Sequence, residues 1–242
     1  MPASAPLSEN LPFAFRGERV EAARVVAPSA AQRLRAARNA TGKPNSDVLR
    51  EFIGVASDRA ERRLAVVDFP AAMSEAEAQL YAAPFAALAR TGTPLHSPSR
   101  NDDLRNALAR LERFLACPAA DPEPAFAWIE GDVLPDNSLV VWARDDDFSA
   151  AVLASRAFAL WSVRVGNPLA ALRSFPFPWP PATALSALSR AQEEQRFALA
   201  RAARSDDSDA LEAALAAAYG WPADLADAEL LARLDALHAT RR

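Results

Sequence analysis

The stretch Ser138-Leu-Val-Val-Trp-Ala-Arg-Asp-Asp-Asp-Phe148 changes character halfway along. Its first half, Ser138 to Ala143, reads as a strand, rich in β-branched and aromatic residues. Its second half is a run of carboxylates, Asp145 to Asp147, of the kind that favours the positive end of a helix. Beyond it, Phe148, Val152, Leu153, Phe158, Leu160, Trp161 and Val163 occupy most of a helical circumference, which predicts one deeply buried helix of roughly 19 residues ending near Val165. The three aspartates are open to two readings, a metal cluster or a helix cap. Adjacent carboxylates point in different directions, and capping accounts for them without a metal.

Working outward, the next stretch is Phe175-Pro-Phe-Pro-Trp-Pro-Pro181. Proline fixes φ and removes a backbone donor, so this run is neither helix interior nor central strand. It predicts a stiff aromatic strap. Three helices are predicted after it, at about 183–204, 209–219 and 227–239, the second bracketed by Asp209, Glu212 and Gly220. Upstream, Phe126–Ile129 reads as a strand and 119–124 as a proline-rich loop. Leu104, Leu108, Leu111 and Leu115 predict an amphipathic helix over 104–115.

In the front half, residues 1–11 read as disordered, and Phe13–Gly17 and Ala23–Val26 as short strands. Pro28-Ser29 opens a helix to about Arg38, 39–45 is a loop, and Val48–Ile53 is ambiguous. Arg63–Phe69 is the clearest strand. Ser74 with Glu77 is a capping box for a helix to about Arg90, which Pro84 interrupts. The expected class is α/β in the mixed α+β sense, with a mixed sheet over 12–174 and a helical region over 175–242.

Of 242 residues, 51% are apolar and 24% charged, enough for a real core. No apolar run approaches the ~18 residues of a membrane span, and the N-terminus lacks a secretory pattern, so the expectation is a cytoplasmic protein with no membrane partner. The single Cys117 excludes a disulfide framework. It reads as a half-buried loop residue, His96 as a loop residue, and Trp142, Trp161 and Trp221 as core. Net charge is −4, but residues 1–120 hold 16 Lys and Arg against 13 Asp and Glu, whereas residues 121–242 hold 11 against 18. A mildly basic front thus precedes an acidic back.

The seven glycines are isolated, so no G-x-G cofactor loop is present. There is no G-x-S-x-G, no H-E-x-x-H and no carboxylate-x-Lys nuclease signature around Lys43, the one lysine. Asn167-Pro-Leu-Ala and Asp121-Pro-Glu-Pro begin like the catalytic N/D-P-P-aromatic loop of base methyltransferases, but neither carries the second proline with the aromatic.

The ordered set of pieces resembles a known family. Ser138–Phe148, then Val152-Leu-Ala-Ser-Arg-Ala-Phe-Ala-Leu-Trp161, then Ser174-Phe-Pro-Phe-Pro178, then Ala217-Ala-Tyr-Gly-Trp221 resemble the C-terminal half of MmeI-like DNA methyltransferases, fused type II restriction–modification enzymes and their phage-defence relatives. Phe13–Gly17, Val25–Pro28, Asn45–Gly54, Leu64–Phe69 and Glu75–Phe85 are similar to that family's front-half segments, in the same order. The resemblance covers about residues 12–240, and the FPFP and AYGW pieces are its most specific pair.

What the resemblance implies is a target recognition domain, which reads double-stranded DNA while a separate methyltransferase domain or subunit binds S-adenosylmethionine and does the chemistry. The chain itself is then expected to be no enzyme and to hold no cofactor. Candidate DNA-binding residues are Arg16, Arg19, Arg24, Lys43, Arg100, Asn101, Arg105 and Arg113, since arginine and polar side chains read base edges and phosphates. Family members carry a basic stretch after the position of Arg113-Phe-Leu-Ala-Cys-Pro118, whereas here Asp121 and Glu123 stand in it. Phosphate neutralisation drives much of DNA affinity, so this exchange weakens binding. The other reading is a diverged protein-interaction module that docks a methyltransferase or self-associates without reading DNA.

Overall fold

The structure, a computed structural model, describes residues 5–55, 64–205 and 207–242. Its first half runs β1 (Ala14–Arg16), β2 (Val25–Val26), α1 (Pro28–Ala36), β3 (Leu49–Ile53), β4 (Leu64–Val67), α2 (Glu75–Ala78), α3 (Ala82–Ala89) and α4 (Asp102–Leu108). There follow β5 (Arg113–Pro118), β6 (Ala127–Glu130), β7 (Leu134–Pro135), β8 (Leu139–Trp142), α5 (Asp147–Leu153), α6 (Arg156–Val165) and α7 (Pro168–Ser174). The tail is α8 (Arg190–Arg204), α9 (Ser208–Tyr219) and α10 (Asp227–Thr240). The fold is therefore mixed α+β with a helical C-terminal region. Arg63, the expected start of the strand found as β4, and residues 1–4 lie outside the described residues.

Contacts cluster into two compact units, neither a continuous stretch. The first takes residues up to Phe15, Arg110–Ile129 and Val140–Arg242; the second takes Arg16–Ala109 and Glu130–Leu139. These divisions follow other lines than the 12–174 and 175–242 segments read from the sequence.

In the first unit the sheet order is β1-β8-β5-β6. β8 and β5 are its central strands, and Leu139 to Trp142 and Phe114 to Cys117 are all buried. β5 corrects the expected helix over 104–115. The helix stops at Leu108 and the next apolar run is a strand, because a short, doubly buried strand and a helix segment look alike in periodicity. The helix expected over 147–165 is likewise two helices, α5 and α6, meeting at a bend of 59°. Ser155 breaks it: its hydroxyl accepts from the Phe158 N–H and donates to the Val152 carbonyl, starting a new helix where the old one ends.

The strap fills the core of this unit. Phe175 and Phe177 are fully buried and Trp179 nearly so. Phe177 stacks on Trp142 at 5.0 Å between centroids, Trp179 on Phe148 at 4.8 Å, and Phe175 meets Phe158 edge-on at 5.2 Å. The strap's carbonyls are satisfied from the tail: Tyr219 donates to Pro176 O, and Arg241 to Phe177 O and Pro178 O. An extended segment with few N–H groups is thus tied to the tail through three successive carbonyls. α5 packs on α8, and α8 on α9.

Residues 5–11 are held in place, which corrects the expectation of disorder for that part of the N-terminus. Leu7 is 1% exposed and its N–H donates to Arg173 O, while Asn10 Nδ2 donates to Leu172 O and Phe175 O. His238 and Arg241 on and after α10 bond Ala5 O and Glu9. One buried leucine and one buried asparagine outweigh a proline-rich, charge-poor composition.

The second unit holds a sheet of order β2-β4-β3-β7, with β2/β4 and β3/β4 antiparallel and β3/β7 parallel. Alternate residues serve two layers. Val67 packs with Val48, Phe69, Tyr81 and Leu88, and Val66 with Phe52 and Leu134. The capping box at Ser74 and Glu77 forms as expected. The helix after it is interrupted at 79–81, upstream of Pro84, which falls in the first turn of α3 where a missing N–H is harmless. Two glycines are required by close approach. A Cβ on Gly17 would overlap the Asp136 backbone carbonyl, and one on Gly54 the Asp136 carboxylate.

Candidate nucleic-acid interface

The candidate DNA-binding residues divide by unit and by burial. Arg113 belongs to the first unit and the other seven to the second. Within the second unit the structure brings four of the seven together, but not as an open site.

At the end of strand β1 and just past it, Arg16 and Arg19 are exposed on either side of Gly17 and Glu18, which are buried, Glu18 at 2% exposure. Arg105, on α4, meets Glu18 with two parallel bonds, Nε to Oε2 and Nη2 to Oε1, both 2.7 Å. Its Nη1 reaches Asp68, at the end of β4. Asp68 also takes Arg50 at 3.0 Å and Arg100 at 3.4 Å. Burial opposes the Arg105 charge, but hydrogen bonds and charge from Glu18 and Asp68 outweigh it and push its pKa up. Arg105 is a fixed internal cation, and its two carboxylate partners are spent on it. Asn101 is the N-cap of α4: its side chain accepts from Leu104 N–H at 3.1 Å, and its own N–H donates to Glu18.

Arg24, at 2% exposure, donates to Glu21 at 2.7 Å and to the carbonyls of Val67, Pro94 and Leu95. Burial raises the Glu21 pKa, but bonds from Ser97, its own N–H and Ser99 and the charge of Arg24 bring it below the ordinary value. The side chains of Arg24 and Arg105 are therefore buried in internal ion pairs, while Asn101, half-buried, spends its side-chain oxygen and backbone N–H on the start of α4. This corrects the expectation of Arg24 and Arg105 as open DNA contacts: arginines chosen by sequence position alone cannot be sorted into buried and exposed. Arg100 sits at the rim, paired with Asp102 at 2.6 Å.

Arg16, Arg19 and Lys43 face solvent. Arg16 donates to the Asn137 carbonyl, and the Lys43 ammonium lies 5.7 Å from the Tyr81 ring centroid. In the first unit Arg113 stacks on Trp128 at 3.9 Å and pairs with Asp147 at 2.8 Å. Sequence reasoning missed Arg33, Arg35, Arg38 and Arg50, all exposed. A signal for the first three was available, because no Asp or Glu occurs between Arg24 and Asp47.

The other sequence suspects resolve locally. Asp146 caps α5 by accepting from Ser149 N–H at 2.9 Å, and Asp147 pairs with Arg113 and Arg204. Among the described residues no three His, Cys, Asp or Glu side chains are placed to hold a metal. Asn167 caps α7, with Pro168 in its first turn. Cys117 is fully buried on β5, not in a loop, and burial with the nearby Asp121 charge pushes its thiol up to about 12. A groove of about 1060 Å³ on the first unit is lined by Asp145, Phe148, Leu185, Arg190, Phe197 and Arg201 among others. Phe197 is 81% exposed there and Leu185 59%.

These features define a mixed α+β chain with a helical tail and an internally neutralised second unit. No protein-family model matches it, and no curated protein matches it in sequence. Among solved structures it is similar in fold to the type IIL restriction–modification enzyme MmeI, determined in complex with DNA, at a TM-score of 0.57 and 14% identity. The match covers 95% of this chain and 35% of the MmeI chain. No single helix among the described residues is long and apolar enough to cross a membrane.

Proposed function

We propose that this chain is a DNA sequence-recognition module of a restriction–modification or DNA-methyltransferase system. It binds double-stranded DNA and acts with a methyltransferase domain or subunit that supplies S-adenosylmethionine binding and catalysis. The observation that carries this reading is the fold likeness over 95% of the chain to about a third of a DNA-bound restriction–modification enzyme. The ordered FPFP and AYGW segments support it. Arg16, Arg19 and Lys43 are the contacts retained from the sequence set on the second unit, with Arg100 at its edge and Arg113 on the first unit.

The test is fluorescence anisotropy of the purified chain against randomised duplex pools at low and rising salt. Expected is binding that weakens as salt rises, with enrichment of one sequence class after selection. Absence of salt-dependent binding to any duplex defeats the reading.

The groove beside Phe197 favours a second reading, a protein-docking module. A large, exposed aromatic beside exposed Leu185 is the kind of surface that marks partner binding. Tight capture of a methyltransferase polypeptide, abolished by Phe197→Ala and without DNA binding, would select it.

A further inference from the structure

We propose that the end of α1 and the loop behind it form a phosphate-gripping face, made by Arg33, Arg35, Arg38 and Lys43, that holds the nucleic-acid backbone without reading sequence. This rests on the DNA-binding reading above and adds to Lys43 three residues, Arg33, Arg35 and Arg38, that the sequence set did not contain.

The four cations fall within residues 33–43, and all are exposed. Arg33 and Arg35 lie in the last turn of α1, where cations also suit the negative end of the helix. That effect fades within a turn and does not account for Arg38 or Lys43. Arg35 has Glu51 at 3.9 Å as a weak partner, while Arg33 and Arg38 meet no carboxylate among the described residues. The acids nearest the unit's interior, Glu18 and Asp68, are consumed by Arg105 and its neighbours. With Glu51 beside Arg35 and Glu77 close enough to Lys43 to feel its charge, Arg33 and Arg38 are the cations of this face left without a carboxylate partner among the described residues.

The loop is built rather than slack. Asn45 is fully buried and its Nδ2 donates to Leu34 O, in the last turn of α1, and to Ala37 O, just past its end. Asn39, also buried, donates to the Asn45 Oδ1 and to Lys43 O, both at 2.7 Å, and accepts from Ala82 N–H. Gly42, at φ 75°, makes the turn that this needs. Two buried amides thus fold the loop back and fix the Lys43 backbone against the end of α1. The backbone that carries Arg38 and Lys43 is thus ordered before binding, and only the exposed side chains are left to be immobilised by a phosphate backbone.

The experiment measures the affinity of the full chain for a fluorescein-labelled random-sequence duplex across a sodium chloride series. Comparison is with Arg33→Gln/Arg35→Gln/Arg38→Gln, with Lys43→Gln, and with a control that removes as much charge elsewhere, Arg90→Gln/Arg110→Gln/Arg242→Gln. Expected is a log–log salt slope flattened by about 2–3 in the triple variant and about 1 in Lys43→Gln, with an equal affinity loss on unrelated duplexes. The control keeps the parental slope. Parental slopes in both α1-region variants, or an equal flattening in the control, overturn the inference while leaving DNA binding intact. A parent chain that binds no duplex overturns both proposals.

Discussion

Arg105 shows how a single residue type misleads when read from sequence. It has the charge of a DNA contact and the burial of a core residue, and the second property decides its role. Gly17 and Gly54 are the opposite case, residues with no side chain whose absence is what the neighbouring Asp136 loop requires. Gly17→Ala forces Cβ against fixed backbone, with Pro135 O 2.9 Å away as well, whereas Gly54→Ala meets a carboxylate that can rotate. Overpacking costs about 1–3 kcal/mol, so urea unfolding should show Gly17→Ala at or beyond the top of that range and Gly54→Ala below it. Cys117 gives a pH prediction. Its folded-state pKa of about 12 lies above the unfolded value, so its contribution to stability is complete below the unfolded value and is lost as pH rises towards 12. The urea midpoint should fall between about pH 9 and pH 11, and by less in Cys117→Ala. The native thiol should resist a water-soluble disulfide reagent at pH 8.

At the scale of elements, the strap and the N-terminal segment carry more than their lengths suggest. Phe177 touches Trp142, Phe148 and Phe175, so Phe177→Ala should cost about 3–5 kcal/mol in chemical denaturation, while Phe177→Leu keeps most of the volume and costs less. Deleting residues 1–11 should lower the melting temperature clearly. It exposes the surface that Leu7 covers, a burial worth about 1.5–3 kcal/mol, and removes the Asn10 donors from Leu172 O and Phe175 O. A disordered tail would be removed without effect, so thermal denaturation separates the two cases. Most elements were legible because their signals are local: the capping box at Ser74, Pro28 opening α1, and Gly220 in the left-handed conformation ending α9. The errors share one cause. The strand at Arg113–Pro118 and the break at Ser155 each depend on what packs against the segment, and a short apolar run does not carry that information.

At the scale of the whole molecule, a chain of net charge −4 is proposed to bind a polyanion. The two statements are compatible if cations and carboxylates are unevenly distributed, as they are around α1 and Arg105. On this reading the chain recognises DNA and leaves the chemistry to a partner. Incubation with labelled S-adenosylmethionine and duplex, or with magnesium and supercoiled plasmid, should give neither methyl incorporation nor nicking. Either activity in the pure polypeptide would contradict the proposal. Of the candidate interface, the sequence supplied the supply of arginines and the resemblance that made DNA the partner to consider. It did not separate Arg16, Arg19 and Lys43, which face solvent, from Arg24 and Arg105, whose side chains are buried.

By itself the sequence determined the mixed α+β class, the helical tail, the aromatic strap and most helix boundaries, because propensity, capping and proline geometry act over a few residues. Only the tertiary structure decided that β5 is a central strand, that residues 5–11 are pinned beside α10, and which arginines are buried. Those outcomes turn on partners distant in sequence, such as Ala5 beside His238, 233 residues away. Burial and ion pairing are properties of the assembled neighbourhood, and no local pattern of residues encodes them.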